Sequence, residues 1–147
     1  MKGWRGRLGA GAVVAAAVLL SRLTRYEIAE QSMHPALSPG DWVLGVRNPA
    51  RIASGDVVVL EMPGRPGFEI VKRVAAVGGD PLDTPDGTRT VGGDEVWVLG
   101  DHPAAGSVDS RHFGPVPRSA IRARLLWRYR PLPVVRIGSD REAIARR

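Results

Sequence analysis

The chain has 147 residues, 44% hydrophobic and 24% charged, with 18 Gly and 12 Pro, which excludes a disordered tail or a long coiled coil and suits one modest domain rich in turns. It has no cysteine, so disulfides, zinc ribbons, iron–sulfur sites and a thiol nucleophile are excluded as well. The formal charge of +6 is unevenly placed: residues 118–147 carry nine Arg against Asp140 and Glu142, and the rest of the chain is nearly neutral.

The first element is an unbroken apolar run from Leu8 to Leu20, preceded by Lys2, Arg5 and Arg7 and followed by Arg22 and Arg25. As a helix this run is roughly 20 Å long, against roughly 30 Å of bilayer hydrocarbon. Local thinning of the bilayer and a snorkelling Arg22 close that gap. The segment Ser21-Arg-Leu-Thr-Arg-Tyr-Glu lacks a small-x-small cleavage site, so residues 1–25 read as an uncleaved N-terminal transmembrane or signal-anchor helix. The larger positive count ahead of the run places the rest of the chain on the extracytoplasmic side of a single-pass protein.

From Tyr26 onward, short β-branched stretches alternate with Gly-Asp, Pro-Gly and Gly-Gly turns, which predicts an all-β body. Strands are expected at Trp42–Arg47, Asp56–Glu61, Phe68–Val77, Glu95–Leu99 and Arg122–Tyr129. The polar, Gly-rich stretch from Pro81 to Asp94 reads as a loop or small hairpin. In the last strand Ala123, Leu125, Trp127 and Tyr129 share one face, and the arginines between them fill a solvated one. Residues 132–147 read as a basic tail, with Ser139 and Glu142 as the capping box of a short helix. No helix-turn-helix, zinc-finger or stacking-aromatic pattern accompanies the arginines, so membrane lipid rather than nucleic acid is the expected partner.

The candidate chemistry centres on Lys72. Of 21 basic residues only Lys2 and Lys72 are lysines, and a lysine, unlike an arginine, can lose its proton and serve as a base. Strand periodicity puts Lys72 on the same face as Phe68, Ile70 and Val74, with Arg73 and Glu69 on the other. Apolar neighbours disfavour the ammonium form and lower its proton affinity. A nucleophile is harder to single out: Ser32, Ser38, Ser54, Ser107 and Ser110 all read as turn hydroxyls, and spacing does not choose among them. His34, His102 and His112 leave a Ser-His arrangement open, and no metal-ligand spacing occurs.

Three motifs in order carry a resemblance: Ser32-Met33-x-Pro35-x-Leu37-x-x-Gly40-Asp41, then Lys72-Arg73-Val74, then Gly100-Asp101-His102 with Ser107-x-Asp109-Ser110-Arg111-x-x-Gly114. Together they resemble the bacterial signal peptidase I (leader peptidase) family over residues 26–131. The resemblance implies a compact signal-peptidase-like β-fold and a serine endopeptidase with a Ser/Lys dyad. Such an enzyme removes N-terminal leader or signal peptides after a small residue and needs no cofactor or metal.

By the same matching, Ser32 is the nucleophile and Lys72 the general base, Ser107 holds the Lys72 amine, and the Ser32 backbone N–H serves the oxyanion. Asp109 with Arg111 braces the loop, and Ile28, Met33 and Leu37 line the substrate pocket. Two departures stand out: Glu30 lies where some members place an oxyanion-donating Ser, and His102 replaces the usual Asn. The compact size, the Trp97–Asp101 stretch and the Arg128-Tyr-Arg-Pro131 ending also look like the subgroup that matures nickel-type superoxide dismutase. Glu30 leaves room for a catalytically weak peptide-binding β-module.

Overall fold

The computed structural model describes residues 4–84, 86–102, 104 and 106–138, and of residues 4–10 the backbone alone. After helix α1 (Trp4–Ser21) come β1 (Leu23–Glu27), β2 (Trp42–Arg47), β3 (Val57–Glu61), β4 (Glu69–Val77), β5 (Pro81–Thr84), β6 (Gly87–Thr90) and β7 (Glu95–Leu99). The short helix α2 (Ser110–Phe113), β8 (Val116–Pro117), a 3-10 turn at Arg118–Ala120, β9 (Ile121–Arg130) and β10 (Val135–Arg136) complete the order. Apart from α1, therefore, the described chain is mostly β-sheet.

The main sheet runs β1-β2-β9-β3-β4-β7-β8, with β10 added to β9 and β5-β6 forming a separate hairpin. Every pairing is antiparallel. The central strand β3 reads Val-Val-Val-Leu-Glu and is buried along its first four residues. Val58 and Leu60 pack into one apolar cluster with Ile70, Val74 and Val98, while Val57 and Val59 pack into a second with Met33, Leu37 and Leu125. A strand with core on both sides needs a continuous apolar run, and this one supplies it.

The expected alternation of β9 holds for Ala123 and Leu125, which are buried, and fails at Trp127, which is 41% exposed. The register explains the failure. Gly45 lies opposite Leu125 and Leu44 opposite Trp127, so Leu126 is an extra residue that reverses the faces beyond it.

The anchor expectation requires correction. The apolar run does form a helix, of 18 residues, but no helix among the described residues is long and apolar enough to cross a membrane. The first turn of α1 is spent on Trp4, Arg5 and Arg7, and the apolar remainder falls about 10 Å short of the hydrocarbon thickness. From residue 11 on, the side chains are exposed up to Arg22, with Val13, Val14 and Leu20 each more than 60% accessible. The element boundaries also differ: β1 begins at Leu23, inside the expected anchor, and β10 draws residues 135–136 of the expected tail into the sheet. The expected C-terminal helix lies outside the described residues.

Candidate active site

Ser32 sits in the turn that links β1 to β2. Main-chain bonds close this excursion at its base, Ile28 N donating to Asp41 O and Gly40 N to Ile28 O, both at 2.8 Å. Inside it, Leu37 N donates to Met33 O at 2.9 Å, and Ser38 N donates to the Asp41 carboxylate at 2.9 Å. Ile28, Met33 and Leu37 are 3%, 1% and 1% exposed and plug the turn into the second apolar cluster. They form the seat beneath Ser32, and the cleft walls are made by other residues.

Lys72 projects from the middle of β4 and is only 1% exposed. Its Nζ donates to Ser32 Oγ at 2.8 Å, across 40 residues of sequence. Burial lowers the Lys72 pKa below the ordinary lysine value, the negative charges of Glu30 and Asp109 oppose that shift, and Arg111 reinforces it.

The segment after β7 packs against the serine turn. His102 N donates to Ser32 O at 3.0 Å. A side chain at Gly100 would put its Cβ 2.3 Å from Ser107 Oγ and 2.9 Å from Ser32 O, so only glycine allows this approach. Asp109, fully buried, accepts from Gly100 N at 3.0 Å, from Arg111 N at 3.1 Å and from the Arg111 guanidinium at 3.0 and 2.7 Å. Burial raises the Asp109 pKa, but the Arg111 guanidinium and the two main-chain donors outweigh it and hold the carboxyl below its ordinary value. Ser110 Oγ accepts from Val98 N at 2.9 Å and ties the segment to β7.

Ser107 is 7% exposed and lines the same cleft as Lys72, yet its buried Oγ makes no hydrogen bond. The hydrogen bond of the Lys72 amine goes to Ser32 instead. The cleft occupies about 470 Å³. Ser32, Lys72 and Ser107 lie along it with Met62, Phe68 and Ile70, and Glu30 and Arg65 contribute opposite charges. Among the described residues no cluster of His, Asp and Glu is large enough to hold a metal ion.

Two features escape sequence reasoning. Arg73, placed by periodicity on the strand face opposite Lys72 with no partner assigned, is 3% exposed and grips Asp101 through Nε at 2.9 Å and a second nitrogen at 2.7 Å. It also donates to Gly55 O at 2.8 Å. The one available signal was an arginine flanked by apolar residues inside a nine-residue strand. The other feature is the wall formed by Met62, Arg65 and Phe68, whose Pro-Gly turns read as an ordinary hairpin loop.

The comparisons with known proteins agree with this arrangement of segments. The family described as signal peptidase, peptidase S26, matches residues 2–93 and 81–130, spans that contain Ser32, Lys72 and the Ser107–Arg111 segment. The mitochondrial ATP-independent inner membrane protease subunit 1a of Arabidopsis thaliana is 35% identical, over 89% of this chain and 90% of its own length. Its subunit 1b is 38% identical, over 68% of this chain and 66% of its own length. The mitochondrial inner membrane protease subunit 1 of Schizosaccharomyces pombe is 34% identical, over 83% of this chain and 86% of its own length. With both the family match and relatives that align over most of its length, this chain belongs to the signal peptidase family, peptidase S26.

Proposed function

We propose that this peptidase is a membrane-associated serine endopeptidase that removes N-terminal leader or signal peptides after a small residue, with Ser32 as nucleophile and Lys72 as general base. The observation that carries the reading is the 2.8 Å contact between Lys72 Nζ and Ser32 Oγ, both groups buried yet facing an open cleft. When Lys72 is neutral, the hydroxyl donates to the amine along the same line. As Ser32 Oγ attacks the scissile carbonyl, its proton passes to Lys72, and the Ser32 backbone N–H steadies the oxyanion. Collapse of the tetrahedral adduct breaks the peptide bond, and the ammonium returns its proton to the departing amine. A water molecule, deprotonated by the same amine, then hydrolyses the acyl-enzyme. Ser107 borders the amine, and Asp109 with Arg111 holds the loop that presses on Ser32.

Membrane association is assigned to α1, whose exposed Val13, Val14, Val18, Leu19 and Leu20 suit an apolar environment. Relatives named as inner membrane proteases support that reading. The test is cleavage of an Ala-x-Ala leader peptide by purified protein. Ser32→Ala and Lys72→Arg should each lower kcat by at least about a thousandfold while leaving the circular dichroism unchanged. Near-normal turnover by Lys72→Arg would show that another base, such as a histidine, does the work. Peptide binding without any cleavage would favour the binding-module reading.

A further inference from the structure

The hairpin between β3 and β4 places a cation in the substrate cleft some distance from the reacting groups. Arg65 N donates to Met62 O, Phe68 N to Arg65 O and Met62 N to Phe68 O, which folds residues 62–68 into a compact turn. Gly64 and Gly67 take φ values of 76° and 78° there, conformations that side chains disfavour. The Arg65 guanidinium lies over the Phe68 ring, 4.5 Å from its centre, and both residues line the cleft that contains Ser32 and Lys72. Among the described residues no carboxylate lies within ion-pair distance of Arg65. Stacking on an aromatic ring restrains the guanidinium before any ligand arrives and leaves its N–H edges free to donate.

The strand supplies a ruler. Phe68, Ile70 and Lys72 share one face and all line the cleft. Phe68 immediately precedes β4 and Lys72 lies four residues further on, about 13 Å of extended chain, and an extended peptide laid along this face advances by the same rise, about 3.3 Å per residue. We infer that Arg65 is a specificity-determining residue that reads an acidic side chain three to four residues from the scissile bond of the leader peptide. Glu30, two residues before Ser32, lines the cleft near the cutting point, so a carboxylate adjacent to the scissile bond meets repulsion instead. The two charges in an otherwise largely apolar lining thus set where acid is tolerated, beside Arg65 and not beside Glu30. This inference rests on the endopeptidase reading above and specifies which leader peptides that site prefers.

The test uses the full-length Ser32→Ala protein in detergent, with fluorescent leader peptides that differ only in where one Asp or one Lys replaces Ala. Fluorescence anisotropy should show the peptide with Asp three or four residues from the cut binding about five- to tenfold tighter than its Lys counterpart. Moving the Asp next to the cut should remove that advantage. Adding Arg65→Glu should invert the ratio, and raising the salt from 50 to 500 mM should shrink it in the parent protein. Equal affinities, a ratio untouched by Arg65→Glu and by salt, or no saturable binding would each overturn the inference. Charge-selective binding without cleavage by the Ser32 enzyme would overturn the endopeptidase reading and leave the role of Arg65 standing.

Discussion

Lys72 carries two opposed demands, and both can be measured. In the proposed mechanism only the neutral amine accepts the Ser32 proton, so kcat/KM should rise with pH and level off once Lys72 is deprotonated. The midpoint should lie below the ordinary lysine value, because burial outweighs the carboxylates of Glu30 and Asp109. Replacing Glu30 with Gln removes the larger of the two opposing charge effects and should move the midpoint to lower pH. A midpoint that stays fixed, or a flat profile from pH 6 to 10, would count against Lys72 as the base. The second demand is on stability. With its folded-state pKa depressed, Lys72 binds more protons unfolded than folded between the two values, so its cost to the fold is full below the folded pKa and fades as pH rises above it. Lys72→Met should therefore stabilise the protein by about 1 kcal/mol, roughly 4 °C in Tm, at neutral pH, with a smaller gain at pH 10, while abolishing cleavage. Calorimetry at the two pH values checks the sign. Lys72 was legible as a lone lysine on an apolar strand face of an arginine-rich chain. Ser32 was not, because a turn hydroxyl looks like any other until a partner 40 residues away is packed against it. The Arg73–Asp101 pair was hidden for the same reason, its partners lying 28 residues apart.

At the scale of elements, the strands that could be read in advance are those whose β-branched residues run uninterrupted between Gly and Pro turns. β2 and β7 coincide with their expected limits, and β3, β4 and β9 differ by a residue at one or both ends. β1 was missed because Leu-Thr-Arg-Tyr-Glu has no clean apolar alternation, Tyr26 alone packing against the second apolar cluster while β2 pairs along one edge. Bulges are equally silent in sequence. Extra residues at Ala75, Arg122, Leu126 and Tyr129 follow from how strands of unequal curvature meet, a property of pairs of strands and not of any one of them. Gly45 marks one such meeting: a Cβ there would lie 2.8 Å from Arg124 O and 3.0 Å from a methyl of Leu125. Because the first of these atoms is backbone, the strand rather than a side chain must give way. Gly45→Ala should cost about 2 kcal/mol, seen as a lower urea midpoint with an unchanged m-value. An unaltered midpoint would mean that β2 and β9 slide apart more easily than their packing implies. Gly45 lies in the sheet that carries the serine turn, so kcat should fall together with stability.

At the scale of the whole molecule, the described residues divide into a sheet that positions the site and a helix, α1, that supplies none of the cleft's described lining. The described side chains of α1, residues 11 to 21, join neither apolar cluster and are exposed along every face. The exposed apolar stretch from Gly11 to Leu20 gains by entering a lipid phase, and the flanking Arg22 and Arg25 favour an anionic surface. The sheet, by contrast, begins immediately after α1, where Leu23, Thr24 and Arg25 pair with Val46, Gly45 and Leu44. The position of a truncation therefore matters. Removal of residues 2–21 keeps all five rungs of β1, whereas a chain starting at Tyr26 loses three of them. The first truncation should no longer sediment with anionic phospholipid vesicles, yet should cleave a soluble leader peptide within about twofold of the full-length rate, since none of the described residues of α1 lines the cleft. The second should show the same loss of vesicle binding together with a lower Tm, because an edge strand cut to two residues leaves the β2 edge unpaired. Vesicle sedimentation, a peptide assay and a thermal melt on the two proteins separate these effects. Undiminished sedimentation of the first truncation would move the lipid contact to the β9–β10 connection and its edge, where exposed Leu132, Val134 and Val135 lie near Arg130 and Arg136 in sequence.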